Sequence, residues 1–240
     1  MGIRGSKIIQ ELPDIPRWIY ARWIVLSGEG RVYARDGFET TASIIQHPTN
    51  GLTCVIGQPD ADLVLRAIEA GGDQLRILTS VENYRYIENI LPGWDLSPVY
   101  IHILPHKLQK VTTHHYPARF LDADEVSTAQ HVPDELKSEL MDAMLRSPIA
   151  ALFVDGNPVS FCYVAAETET FWDISIDTLA EYRNKGYAAQ TATYMINFMD
   201  KKGKRPIWGA EESNPASIKL AQKLGFKAID RLYLHFRKPK

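Results

Sequence analysis

The sequence predicts an α/β (α+β) protein, a mixed central sheet flanked by helices and preceded by a smaller α/β half. Three observations carry that expectation. From Gly51 onward, short β-branched and aromatic runs alternate with helical periodicities, as in a sheet with helices packed on it. A second alternation of the same kind fills the C-terminal half. Between them Leu104 to Ala118 is polar, with Pro105 and Pro117 near its ends, and sets a boundary between residues 1–110 and 111–240.

Composition narrows the function classes. The chain has 240 residues, 45% hydrophobic and 23% charged, as in an ordinary soluble globular protein. A net charge of −2 argues against general nucleic-acid binding, which needs a basic excess to release counterions. No signal peptide opens the chain and no run of about eighteen apolar residues crosses a membrane, so the cytoplasm is expected and a membrane is not. Met1 to Ser6 formally fits a myristoylation pattern, which without a second membrane signal reads as chance. Cys54 and Cys162 lie in apolar strand-like runs and read as small buried hydrophobes.

Taken in order, residues 1 to 50 are the least readable. Trp18, Tyr20 and Trp23 suit an apolar helix face, and strand alternation accounts for them equally well. Ser27-Gly28-Glu29-Gly30 is a turn. Leu52 to Ile56 reads as a buried strand, and Pro59-Asp60 opens a helix closed by Gly71-Gly72. Leu75 to Thr79 is a second strand, Ser80 caps a helix through Leu91, and Val99 to Leu104 is a third strand. Val99-Tyr100-Ile101-His102-Ile103 echoes Leu232-Tyr233-Leu234-His235-Phe236, and a serine stands twenty residues before each tyrosine (Ser80, Ser213), which suggests a duplicated half-unit. No metal site is expected. His114 and His115 are adjacent and would face opposite ways on a strand, and Pro105 keeps His102 and His106 off one helical face.

In the C-terminal half, Phe120 to Ala123 ends a strand and Asp134 to Arg146 forms an amphipathic helix. Ala150 to Val154 and Val159 to Ala166 pair across the turn Asp155-Gly156-Asn157-Pro158. Phe171 to Thr178 is the central strand. A helix follows, with Ala188, Ala192, Met195, Ile196 and Met199 at its spacing, and Lys201, Lys202 and Gly203 stop it. Pro206 to Ala210 is a short strand. Asn214 then suits an N-cap with Pro215 at the first helical position, while Ile218, Ala221 and Leu224 form an inner face. Lys227 to Arg237 finishes with strand.

Arg183-Asn184-Lys185-Gly186-Tyr187-Ala188 organises this half. It is a strand-to-helix turn whose glycine lets a ligand approach the backbone. The first helical amides point outward there, a seat for a phosphate or diphosphate to which Arg183 and Lys185 add positive charge, and a solvated basic turn that merely joins a strand to a helix accounts for the same residues.

Arg183-x-x-Gly186-x-Ala188 is followed 26 residues after Ala188 by Asn214, then by Ser217, Leu220 and Leu224-Gly225-Phe226. This pairing resembles the two signature motifs of the GNAT superfamily of acyl-CoA N-acyltransferases, over about residues 111 to 240. Thr178 to Arg183 is further similar to the bacterial and glycine-type N-acyltransferase branches, some members of which carry a degenerate GNAT-like half in front.

The resemblance implies acetyl-CoA as cosubstrate, no metal, and a primary amine of a small molecule or peptide as acceptor. It implies CoA diphosphate on the amides of Arg183, Asn184, Lys185, Gly186, Tyr187 and Ala188. The pantetheine arm would lie against the backbone edge of Ile176, Asp177 and Thr178, with Asn214 and Ser217 near the arm and the sulfur. An amide near Thr178 would polarise the thioester carbonyl. Asn214 and Ser217 also suit plain capping of the last helix. An alkylammonium of pKa ~10 must lose a proton before it attacks. Asp173 is the candidate base, directly or through a water, with Glu211 and Glu212 as alternatives, and all three also suit plain solvated charge at a strand end. The family's usual acid is a tyrosine at the position held by Ala221, which leaves Tyr187, Tyr194 or solvent to protonate the thiolate. Trp172, Trp208 and Tyr163 suit either an acceptor pocket or plain core. The competing expectation is a catalytically silent acyl-CoA-binding or sensing module.

Overall fold

The computed structural model describes residues 8–35, 41–72, 75–106, 108 and 116–237. The chain forms two compact units. One comprises Met1–Ile101, Gly209–Pro215 and Ala228–Lys240, the other His102–Trp208 and Ala216–Lys227. In chain order the elements begin α1 (Ile19–Leu26), β1 (Arg31–Ala34), β2 (Ser43–Gln46), β3 (Leu52–Ile56), α2 (Ala61–Gly71), β4 (Arg76–Ser80), α3 (Tyr84–Ile90) and β5 (Asp95–Ile103). They continue β6 (Ala118–Phe120), α4 (Ala123–Thr128), α5 (Asp134–Met144), β7 (Ala150–Val154), β8 (Asn157–Glu167) and β9 (Phe171–Thr178). The last are α6 (Tyr187–Lys201), β10 (Arg205–Glu211), α7 (Pro215–Leu224) and β11 (Lys227–Phe236).

In the first unit the strand order is β1-β2-β3-β4-β11-β5. β1, β2 and β3 pair antiparallel, β3 and β4 parallel, and β11 returns antiparallel to β4 with Leu232 opposite Ser80. Ile44, Val55, Leu63, Val64 and Ile77 close a core between α2 and these strands. The stretch around Trp18 to Trp23 resolves as a helix, α1. Its buried face is Ile19, Ala21, Ile24 and Val25, while the aromatics stay half-buried. β1 and β2 were not anticipated.

Two boundaries move. The helix expected from Ser80 begins at Tyr84, because Ser80 still pairs in the sheet and its hydroxyl accepts Asn83 Nδ2 at 3.2 Å. β5 starts at Asp95, ahead of the expected Val99. The two echoing segments lie on neighbouring strands, β5 and β11. Their partner serines do not match: Ser80 ends a strand, whereas Ser213 sits in a turn.

His235 on β11 is 1% exposed, and its Nε2 lies 3.2 Å from Thr79 Oγ1. Burial lowers its pKa to about 4. The unfolded chain takes up a proton near pH 6.5 and the folded one only near 4, so stability rises with pH across that window. Urea unfolding should therefore show roughly 2 kcal/mol lost between pH 7 and 5 that is absent in His235→Gln.

In the second unit the order is β10-β9-β8-β7-β6. β6, β7, β8 and β9 pair antiparallel in sequence. The β7–β8 hairpin turns on Asp155 (φ 50°) and Gly156 (φ 82°), the left-handed pair that a two-residue loop demands. β6 ends at Phe120, so the strand expected through Ala123 is cut short. Asp122 instead caps α4 in a capping box with Glu125, a helix the sequence reading missed. On α6 the buried face is Ala189, Ala192, Met195, Ile196 and Met199, with Ala188 half-buried.

The expectation for Met1 to Ser6 and the one for His114 and His115 fall outside the described residues. Cys54 and Cys162 are both buried, and burial raises both thiols. Among the described residues no helix is long and apolar enough to cross a membrane.

Candidate functional site

β9 builds the first part of the site. Its four leading residues are buried, and Ile176, Asp177 and Thr178 at its end are half-exposed. β10 runs parallel to it for three positions, ending with Ile207 opposite Asp173. Leu179 N–H donates to Val159 O at 3.0 Å, so the backbone groups of Leu179, Asp177 and Ser175 point toward β8. Those of Thr178, Ile176 and Ile174 point the other way. Among the described residues no strand pairs with that edge beyond Asp173. Arg183 Nε reaches back to donate to Thr178 O at 3.0 Å, leaving Ile176 and the Thr178 amide on it.

The turn after β9 departs from a simple strand-to-helix bend. A 3₁₀ turn, Ala180–Tyr182, comes first, and Gly186 then stands at the N-cap of α6. Asn184 (φ 61°) and Gly186 (φ 83°) are both left-handed and flank the exposed Lys185. Such alternation turns successive amides to one side of the chain. Among the described residues no backbone carbonyl accepts from the amides of Asn184, Lys185 or Gly186. The α6 ladder reaches Gly186 O from Gln190 N at 3.2 Å, where the hydrogen bonding of the helix itself begins. Lys185 Nζ lies 5.1 Å over the Tyr182 ring. Tyr187 is buried edge-on to Tyr116, centroids 6.0 Å apart, and Tyr194 packs on Phe120 at 5.3 Å.

The carboxylates fall in different places. Asp173, only 4% exposed, ends the β9–β10 ladder in the second unit. Glu211, Glu212 and Asn214 belong to the segment Gly209–Pro215 of the first unit. There Ser213 Oγ donates to Glu211 Oε2 at 3.4 Å and Tyr100 Oη to Glu212 Oε1 at 2.7 Å. Asn214 directly precedes Pro215, the first residue of α7. In the second unit Ser217 Oγ accepts Trp208 Nε1 at 2.8 Å, and Ala221 is 0% exposed. Trp172 and Trp208 are fully buried, which is the core reading of those aromatics.

One group of side chains was missed. Tyr163 Oη lies 2.7 Å from Glu139 Oε1 and 2.9 Å from Asp177 Oδ2. Burial, with the charge of Glu139, holds the Asp177 carboxyl above its usual range, and burial pushes the Tyr163 hydroxyl far up. Asp177 drew notice for its backbone alone. The signal for its side chain was a same-face series of polar residues, Asp173, Ser175 and Asp177, on an otherwise apolar strand.

A cavity of about 650 Å³ opens at the other end of β9, lined by Leu104, Phe171, Ile196, Arg205 and Pro206. Among the described residues no group of three or more His, Cys, Asp or Glu is placed to hold a metal.

Residues 150–234 match the family model for GNAT acetyltransferases. An uncharacterised N-acetyltransferase of Bacillus subtilis, YdfB, is 38% identical over 64 residues, 27% of this chain and 24% of that protein. The match thus spans about a quarter of that relative's length. A GCN5-related N-acetyltransferase-like protein of Streptococcus suis has a similar fold, with a TM-score of 0.69 and 18% identity over 98% of this chain and 97% of its own. So does a GCN5-related N-acetyltransferase of Kribbella flavida, at 0.62 and 14% over 100% and 97%. The turn that opens α6 lies inside the matched segment, so it is residues 150–234 that are similar to the GNAT acetyltransferases.

Proposed function

We propose that the chain, through residues 111–240, transfers an acyl group, acetyl in the simplest case, from acetyl-CoA to a primary amine of a small molecule or peptide by direct attack in the cytoplasm. The observation that carries this reading is the row of amides at Asn184, Lys185 and Gly186 that no backbone carbonyl among the described residues accepts from, at the N-terminus of the fifteen-residue helix α6. GNAT acetyltransferases use acetyl-CoA, and a diphosphate suits amides at a helix N-terminus in charge and hydrogen bonding.

In this reading the diphosphate takes the amides of residues 183–188. The pantetheine arm adds to the open edge of β9 at Ile176, and the Thr178 amide polarises the thioester carbonyl. Asn214 and Ser217 contact the arm. Asp173 accepts the proton of the attacking amine through a water, with Glu211 as the alternative base.

A silent acyl-CoA-binding module is the second reading, favoured by the buried methyl of Ala221, which has no proton to give. Calorimetry with acetyl-CoA and release of free CoA thiol over an amine panel separate the two. Binding with amine-dependent thiol release is expected. Binding without release across the panel leaves the silent module.

A further inference from the structure

The contacts of Tyr163 hold one hydrogen too few. A phenol donates a single hydrogen, yet its oxygen sits within hydrogen-bonding distance of two carboxyl oxygens, Glu139 Oε1 at 2.7 Å and Asp177 Oδ2 at 2.9 Å. With both carboxylates ionised, one contact would set lone pairs against lone pairs. A second proton on the group removes the conflict.

Its place follows from the surroundings. Glu139 on α5 is exposed, Asp177 on β9 is half-buried, and Tyr163 on β8 between them is 3% exposed. Burial above all favours the neutral acid at Asp177, its bond with Tyr163 opposes it, and the charges of Glu139 and Arg183 act for and against it. Ser175 also faces the tyrosine. A second proton on Asp177 would let Asp177 donate to Tyr163 and Tyr163 donate to Glu139 at the surface, with no contact left between lone pairs.

We infer that Glu139, Tyr163 and Asp177 form a proton relay from solvent, and that Asp177 delivers its proton to the leaving thiolate during acyl transfer. The inference rests on the transferase reading. Asp177 directly precedes Thr178, beside whose amide that reading places the thioester carbonyl. The amine nitrogen bonds to the carbonyl carbon and gives its proton through a water to Asp173, and the carbonyl π pair moves to oxygen. As that pair returns, the C–S bond breaks, sulfur keeps its electrons, and the Asp177 proton moves to sulfur. The result is amide plus thiol. Asp177 is reloaded through Tyr163 and Glu139 from water, and Asp173 releases its proton to solvent. Asp177 is the catalytic acid, and Tyr163 and Glu139 are positioning residues that load it.

Two measurements test this. Infrared spectra of the resting protein at pH 7 should contain a protonated-carboxyl stretch that Asp177→Asn removes; a spectrum without that band overturns the inference. Asp177→Asn and Tyr163→Phe should each slow transfer from acetyl-CoA about 100-fold, the lower end for a general acid. With p-nitrophenyl acetate, whose leaving group needs no proton, the deficit should shrink below about 5-fold, as it must for an acid acting on the leaving group. Equal deficits with both donors overturn the acid role. If the unaltered protein shows no transfer at all, the transferase reading and the acid role fall together, while the infrared band still decides whether the proton is there.

Discussion

Replacing Gly186 by Asp should weaken acetyl-CoA binding by at least about 100-fold while the protein remains folded. Two effects act, and their sizes differ. Gly186 is left-handed, φ 83°, where a Cβ costs roughly 1 kcal/mol, less for Asp and Asn than for other residues. The carboxylate meets the diphosphate with like charge at the one end of α6 that the helix dipole makes positive, at a cost of several kcal/mol, where each ~1.4 is tenfold. Charge thus outweighs strain. Gly186→Asn carries the same strain without the charge, and calorimetry should find it close to the unaltered protein. Equal losses in the two variants would mean that the backbone bend, and not an anion, accounts for the effect. Unchanged affinity in Gly186→Asp would remove the diphosphate from this turn.

Asp173→Asn should lower turnover about 100-fold with acetyl-CoA affinity intact, the range for removing a general base. The substitution preserves shape at a buried position where the β9–β10 ladder ends, and replaces a carboxylate that can accept a proton by an amide that cannot. The split between turnover and affinity is the diagnostic. A folding defect would depress both, and loss of a CoA contact would raise the dissociation constant. Glu211→Gln should leave turnover within a few-fold. If the two variants exchange behaviour, the base is Glu211.

The C-terminal half was legible because its elements obey local rules. Asn214-Pro215 and Gly225 bracket α7, and Arg183 to Ala188 announced the opening of α6. What failed was set by partners far along the chain. Ser80 looks like a helix cap in its own neighbourhood, but Leu232, 152 residues on, holds it in the sheet. The strands β1 and β2 have four residues each, too few for alternation to declare itself, and β2 is buried on both faces. Asp122 and Glu125 did spell a capping box, which the strand reading of Phe120 to Ala123 overrode.

The site divides in the same way. The proposed diphosphate seat is a local backbone shape, so glycine and the residues around it suggest it from sequence alone. The relay joins Glu139, Tyr163 and Asp177 from three elements. Spacing along one strand shows Asp177 on the face of Asp173, but not that a tyrosine from β8 and a glutamate from α5 meet it.

The most direct test of the diphosphate seat is a titration followed by backbone-amide NMR, comparing CoA with pantetheine, which lacks the diphosphate. Amide resonances of Asn184, Lys185, Gly186 and Ala188 should shift with CoA and stay in place with pantetheine at equal occupancy. Shifts confined to other residues, or the same at this turn for both ligands, would contradict the placement of CoA on which the transferase reading stands.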